Sequence, residues 1–208
     1  MGTYFDEQYQ SSLMSILKSF TEKIDEISSV ATIAQNTSEL LKAELNQTQE
    51  KVKELELKID DQEQRSRNAC LLFHGIDEDD EEDTDRQIIV ICSKHLNIEI
   101  DINSITRSHR LGPIRMPGIE TRRQRKEVRA RPIIVRFNNF RERQKIFSAK
   151  KRLKGKRISV TENLTKMRME LLKKANTKFG KGNCWTQEGR IFTKINGSFI
   201  VISSDADL

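Results

Sequence analysis

Apolar residues recur at alternating steps of four and three along the first third of the chain. The positions are Leu13, Leu17, Phe20, Ile24, Ile27, Ala31, Ala34, Ser38, Leu41, Leu45, Thr48, Val52, Leu55, Ile59 and Gln62, and twelve of these fifteen are apolar. Neither Pro nor Gly interrupts Thr3 to His74. The spacing predicts one long helix with a heptad seam, with Leu17, Ile24, Leu45, Val52 and Ile59 at a and Leu13, Phe20, Ile27, Leu41 and Leu55 at d. A single helix this polar is marginal in water, so the seam needs copies or partners to cover it. A helical hairpin is the competing solution, but no turn signal breaks the run. Val30, Ile33 and Leu40 form a second stripe beside the weak Ala31, Ala34 and Ser38, which predicts loosening near residues 30–40. Ile stands at both a and d, and Lys51 at g faces Glu56 at e. Together these favour a homotrimer over a homodimer.

The period changes after residue 67. A first strand is expected around Asn68–Ile76, then an acidic loop at Asp77–Asp83. Thr84 opens a helix, with Gln87 completing a capping box and Ile88, Ile91, Cys92 and Leu96 inward. Ile105–Leu111 alternates like a half-exposed strand. There Arg107 and His109 share one face and Arg110 takes the other. Ile133–Phe137 is a strand, Phe140–Leu153 a helix and Lys156–Thr161 a closing strand. That order is the split βαβ arrangement of RNA-recognition folds. Phe137 stands alone on the third strand, without the usual aromatic pair, so arginines must supply more of any binding than stacking does. A helix over Leu164–Phe179 follows, with Leu164, Met167, Leu171, Leu172, Ala175 and Phe179 at helical spacing. Glu188-Gly189 and Asn196-Gly197 then mark two hairpin turns between alternating strands. The expected class is therefore α+β: a coiled-coil oligomerisation helix at 1–66, an RRM-like βαββαβ domain at 67–162 and a small helix-plus-β-hairpin domain at 163–208. The last piece is too small for a robust core and must lean on its neighbour.

Charge sharpens this picture. The net of +6 over 208 residues conceals −5 in residues 1–68, −7 in 69–100 and +18 in 101–208. A basic field of that size attracts polyanions, and nucleic acid is the commonest one. Its densest part lies in an insertion at 113–131, where Arg122, Arg123, Arg125, Lys126, Arg129 and Arg131 fall within ten positions. The same run is compatible with nuclear import. The three cysteines are scattered, without a CxxC pair, which indicates neither a disulfide framework nor a zinc site and suits a reducing compartment. No apolar run reaches the length of a membrane span and no signal peptide is evident, so no membrane partner is expected.

Several motifs carry a family likeness. The heptad helix, "FHGI", "ITRSHRLG", "RPIIVRF", "KKRLKGKRISVTENLT" and "NCWTQEGRIF" follow one another along nearly the whole chain. In this the chain resembles the first-open-reading-frame RNA-binding proteins of LINE-type non-LTR retrotransposons. The resemblance implies a coiled-coil trimer carrying three RNA-recognition-like and three C-terminal domains, and a chaperone that coats the element's own transcript. It places Arg110, Arg136, Lys151 with Arg152, and Trp185 along the RNA path. The insertion 113–131 departs from better-known members, and no zinc knuckle is present. Certain viral occlusion-associated proteins are also related to that family.

The candidate nucleic-acid residues are thus Arg107, His109, Arg110, Arg122, Arg123, Arg125, Lys126, Arg131, Arg136, Lys150, Lys151, Arg152, Lys156 and Trp185. Each has a blander reading as a solvated strand, loop or core residue. His74, His95 and His109 lack metal-ligand spacing, and the acidic loop reads as a solvated helix approach that repels nucleic acid from one edge. No Walker loop, nucleophile–base pair or zincin motif appears, so neither catalysis nor a cofactor is expected. The expected partners are RNA and single-stranded DNA, in cytoplasmic ribonucleoprotein particles. The competing class is a structural scaffold, or a virus-associated relative, whose basic module docks acidic proteins.

Overall fold

The computed structural model describes residues 3–113, 130–195 and 197–208, with side chains from Tyr9 onward. The chain forms two compact units, one ending at Leu57 and one running Lys58–Leu208. A single uninterrupted helix, α1 (Thr3–Arg67), supplies the whole described part of the first unit. The hairpin alternative is thereby excluded. From Tyr9 to Leu57 every side chain of α1 is exposed, the seam residues Leu13, Phe20, Ile27 and Leu41 among them.

In the second unit, β1 (Cys70–His74), α2 (Thr84–Ile91), β2 (Ile105–Arg110), β3 (Ile133–Phe137), α3 (Phe140–Ala149) and β4 (Ser159–Glu162) follow in the expected β–α–β–β–α–β order. The sheet is antiparallel throughout, in the order β2-β3-β1-β4. Alternate residues Leu71 and Phe73, Ile133, Val135 and Phe137, and Val160 form a core with Ile88, Cys92, Leu96, Ile146 and Phe147. Both helices therefore cover one face of the sheet and leave the other open. Beyond Ile91 the helix relaxes into a π-turn, Cys92–Leu96, and Asn97 ends it in the left-handed region at φ 54°. The expected Thr84–Gln87 capping box does not form. Asp83, one residue earlier, caps α2 by accepting from Arg86 N at 3.0 Å. An ionised acceptor at a helix N-terminus outcompetes a hydroxyl. Thr84 instead bonds Ser108 at 2.5 Å.

The C-terminal lobe is α4 (Lys166–Phe179) under a three-stranded sheet of β5 (Cys184–Gln187), β6 (Arg190–Ile195) and β7 (Ser198–Ile202). Its core is small, Leu171, Ala175, Ile191 and Ile202, and Met167, expected inward, is 40% exposed. Polar contacts supply what this core lacks. Arg143 and Glu162 form an ion pair at 2.7 Å with side chains 0% and 1% exposed. Glu162 also accepts the backbone N–H groups of Glu188 at 2.8 Å and Gly189 at 3.3 Å. The buried Gln64 donates to the Asn163 carbonyl at 3.1 Å and accepts from Thr165 N at 2.9 Å. Arg168 reaches back to Asp60 at 2.7 Å and also pairs with Asp61. The β5–β6 turn passes so close that a Cβ on Gly189, at φ +76°, would lie 2.5 Å from the Gln64 Cγ. The lobe thus leans on both β4 and the end of α1.

Removing one partner of a buried ion pair typically costs about 3–5 kcal/mol, because the other charge stays buried alone. Glu162→Ala is expected to destabilise the second unit by about that much and to release the Glu188-Gly189 turn. Urea unfolding of the variant, with amide exchange at Glu188 and Gly189, checks both effects.

Candidate nucleic-acid interface

The open face of the first sheet is built by alternation and one irregularity. Opposite the core residues, it presents Cys70, Leu72 and His74 from β1, Ile134 and Arg136 from β3, and Ser159 and Thr161 from β4. Strand β2 carries an extra residue. Ile105 pairs Phe137, but the next partner of Arg136 is Arg107, so Thr106 is bulged out. Without the bulge Arg107 would oppose Val135 and turn toward the core. With it, Arg107 lies across from Arg136 and His109 across from Ile134, all on the open face. The same shift sends Ser108 to the helix side, where it bonds Thr84 and Asp85.

Arg107 and Arg136 are both exposed, and among the described residues neither has an ion pair. Like charges directly opposite on neighbouring strands are destabilising. Around them, His74 Nε2 lies 2.9 Å from Thr161 Oγ1, and burial lowers the His74 pKa. Leu72 and Cys70 are nearly covered, and burial raises the Cys70 thiol against the opposing field of Arg136.

Arg110 and Arg131, expected to contact a ligand, are occupied by the protein itself. Arg110 binds Glu82 through Nε at 2.7 Å and Nη2 at 2.6 Å, with side chains 5% and 12% exposed. Its remaining N–H groups donate to the carbonyls of Ile76, Asp77 and Arg131. Arg131 pairs Glu78 at 2.9 Å, and Arg157 pairs Asp77 at 2.8 Å. The acidic loop is therefore not the freely solvated segment expected from its composition. It clamps the two ends of the basic insertion, where Leu111 N also bonds the Pro132 carbonyl at 2.8 Å. Spacing gave no sign of this, because the loop and its arginines lie more than twenty residues apart.

The basic residues after α3 lie on the helical side, away from the open face. Lys150 stacks its ammonium 3.5 Å from the Phe147 ring centroid, and burial lowers its pKa. Lys151 and Arg152 are exposed, and Arg152 donates to the Leu96 carbonyl. Lys156 lies 3.0 Å from His95 Nδ1. Arg122, Arg123, Arg125 and Lys126 lie outside the described residues.

Trp185 is half-buried on the face of the second sheet turned away from α4. It stacks on its cross-strand partner Phe192 at 5.8 Å and 11°, and meets Phe199 edge-on at 5.5 Å. Phe199 is 70% exposed, and Lys194 Nζ lies 5.9 Å from its ring centroid. Three aromatics and a cation thus form a partly exposed platform. Alternation along β6 was the signal for it, with Ile191 and Thr193 inward and Phe192 and Lys194 outward.

No model of a known protein family matches the chain, and no curated protein matches it significantly. Among the described residues no cluster of His, Cys, Asp and Glu could hold a metal ion, and no helix is long and apolar enough to cross a membrane.

The Glu82 carboxyl is held below its ordinary value of 4.5, first by the Arg110 hydrogen bonds. A group depressed in the folded state contributes stability above its unfolded pKa and loses it as pH falls through the folded one. Stability is expected to be level above about pH 5 and to decline below it. Glu82→Gln removes part of that acid-limb slope and lowers stability at neutral pH, as urea midpoints between about pH 7 and pH 3 would show.

Proposed function

We propose that this chain is a non-enzymatic, single-stranded nucleic-acid-binding protein and chaperone, which oligomerises and coats a retrotransposon transcript as a ribonucleoprotein. The observation that carries this reading is the Arg107–Arg136 pair. The fold spends a bulge to set two unpaired guanidinium groups opposite each other on an open sheet face. An external polyanion relieves that repulsion, and phosphate suits the planar donor fork of arginine. The platform of half-buried Trp185 and Phe192 and exposed Phe199 supports the same reading, since bases of any sequence can stack on it. The four-stranded unit is in this view an RNA-recognition-like domain that exchanges aromatic stacking on its third strand for arginine contacts. The exposed seam of α1 joins copies into a trimer, and linked sites on one long strand gain avidity. The particles are cytoplasmic, and RNA and single-stranded DNA are both ligands.

Phosphate contacts release counterions, so affinity falls with salt at about −0.7 per phosphate neutralised on a single strand. Arg136→Ala is expected to weaken RNA and single-stranded DNA alike and to flatten the salt slope by roughly 0.7, with Arg107→Ala doing the same. Filter binding across a salt series measures it. An unchanged slope in a folded Arg107→Ala/Arg136→Ala variant takes the strand off this face.

The seam has its own check. Proline in a helix interior costs about 3 kcal/mol, so Leu41→Pro/Leu45→Pro should convert a trimer to monomers in multi-angle light scattering. A monomeric wild-type chain would end the oligomer reading.

A further inference from the structure

Several arginines of the second unit are already held by carboxylates of the chain. Arg110, Arg131, Arg143, Arg157 and Arg168 each pair with a carboxylate. Arg141, Lys145, Lys151 and Arg152 have no ion pair among the described residues, yet they line one groove. This groove, of about 900 Å³, runs between α3 and the Asn97–Ile98 segment, and no carboxylate lines it. It lies on the helical side of the first sheet, so the sheet and its core separate it from Arg107 and Arg136.

Lys151 and Arg152 have a bland explanation, because cations suit the C-terminal end of a helix. Arg141 and Lys145 do not. Arg141 sits in the first turn of α3, where the helix dipole disfavours a cation. Lys145 lies four residues on, on the same helix face, and like charges at that spacing repel. Both are exposed and solvated, so nothing in the packing requires them. Phe140, also lining the groove, is 45% exposed although it is aromatic. The Arg143 guanidinium lies 5.6 Å from its ring centroid, which leaves ring surface for a second π system. Gln144 adds an amide between the two cations. Cations at successive helix turns, an exposed ring and an amide together suit a strand in which every unit carries a phosphate and a base better than a run of acidic side chains, which offers no flat ring to Phe140.

We propose that this groove is a second nucleic-acid site, which takes the phosphate backbone of a single-stranded segment with one base against Phe140. Each chain then holds two strand segments at once, one on either side of the first sheet. The inference rests on the proposed binding function and adds a mechanism to it. Two segments held on one body meet at a high effective concentration, which is what annealing of complementary strands needs.

The test uses the full chain and a labelled oligouridine of about six nucleotides, within the span of one small binding domain. Stoichiometry is titrated at low salt under tight-binding conditions, for the wild type and for Arg141→Glu/Lys145→Glu. The variant is expected to bind one oligonucleotide fewer per chain. It should also anneal two complementary strands at least about tenfold more slowly, the scale on which linked sites act. If charge reversal lowers the urea midpoint, Arg141→Gln/Lys145→Gln replaces it in the same titration. Equal stoichiometry in wild type and a folded variant overturns the proposal and leaves the open-face site standing. So does a groove that takes a poly-glutamate peptide, lost in the variant, with oligonucleotide stoichiometry unchanged. Absence of any oligonucleotide binding by the wild type would instead overturn the function on which the inference rests.

Discussion

A carboxylate and a guanidinium removed from water at the end of β4 hold the second unit together. Arg143 comes from α3 and Glu162 from β4, and the same carboxylate caps the turn between β5 and β6. A lobe whose core has four buried apolar residues cannot stand on hydrophobic burial alone. Its position is set instead by charged and amide groups that have nowhere else to satisfy themselves. Gln64 and Arg168 repeat the device from the α1 side. Such groups are directional, so they fix the geometry of the junction as well as stabilising it. Every surface discussed on this unit is therefore presented from one connected body.

The same division of labour governs the charge. A net of +18 over residues 101–208 suggests a uniformly basic module, but three of its arginines are neutralised by the acidic loop. Glu78 and Glu82 take Arg131 and Arg110, and Asp77 takes Arg157. Among the described cations that no carboxylate holds, Arg107 and Arg136 share the open face, and Arg141, Lys145, Lys151 and Arg152 share the α3 groove. Long-range attraction depends on total charge, but a short-range contact needs a guanidinium that no carboxylate already holds. Counting arginines measures the first, and only the pairing pattern identifies the second.

Legibility in the sequence followed from how local the determining physics is. Strand β3 was readable to the residue, because a run of branched residues after Pro132 admits few alternatives. Helices α3 and α4 and the Glu188-Gly189 turn were legible as elements, although α3 ends at Ala149 rather than Leu153 and α4 begins at Lys166 rather than Leu164; the Asn196-Gly197 turn falls partly outside the described residues. The faces of Arg107, His109 and Arg110 were legible from alternation counted after the bulge. The bulge itself, which sets those faces against β3, was not. The pairing of Arg110 was not legible, because its partner, Glu82, lies 28 residues away across a loop; no local pattern encodes such a pairing. The α3 groove was missed for the opposite reason. Arg141 and Lys145 look like ordinary solvated helix residues until the Asn97–Ile98 segment is seen to face them.

The acidic loop joins these points. Its carboxylates hold Arg110 and Arg131 at the two ends of the basic insertion, so the insertion leaves the sheet from a neutralised base. A basic loop anchored by free arginines would compete with the open face for the same phosphates at its own root. Anchored through Glu82 and Glu78, its root offers a strand nothing to hold. Under the proposed function, Arg107 and Arg136 rather than the root of the insertion would hold the strand. The negative charge of residues 77–83 thus holds Arg110, Arg131 and Arg157 beside the sheet and leaves Arg107 and Arg136 open.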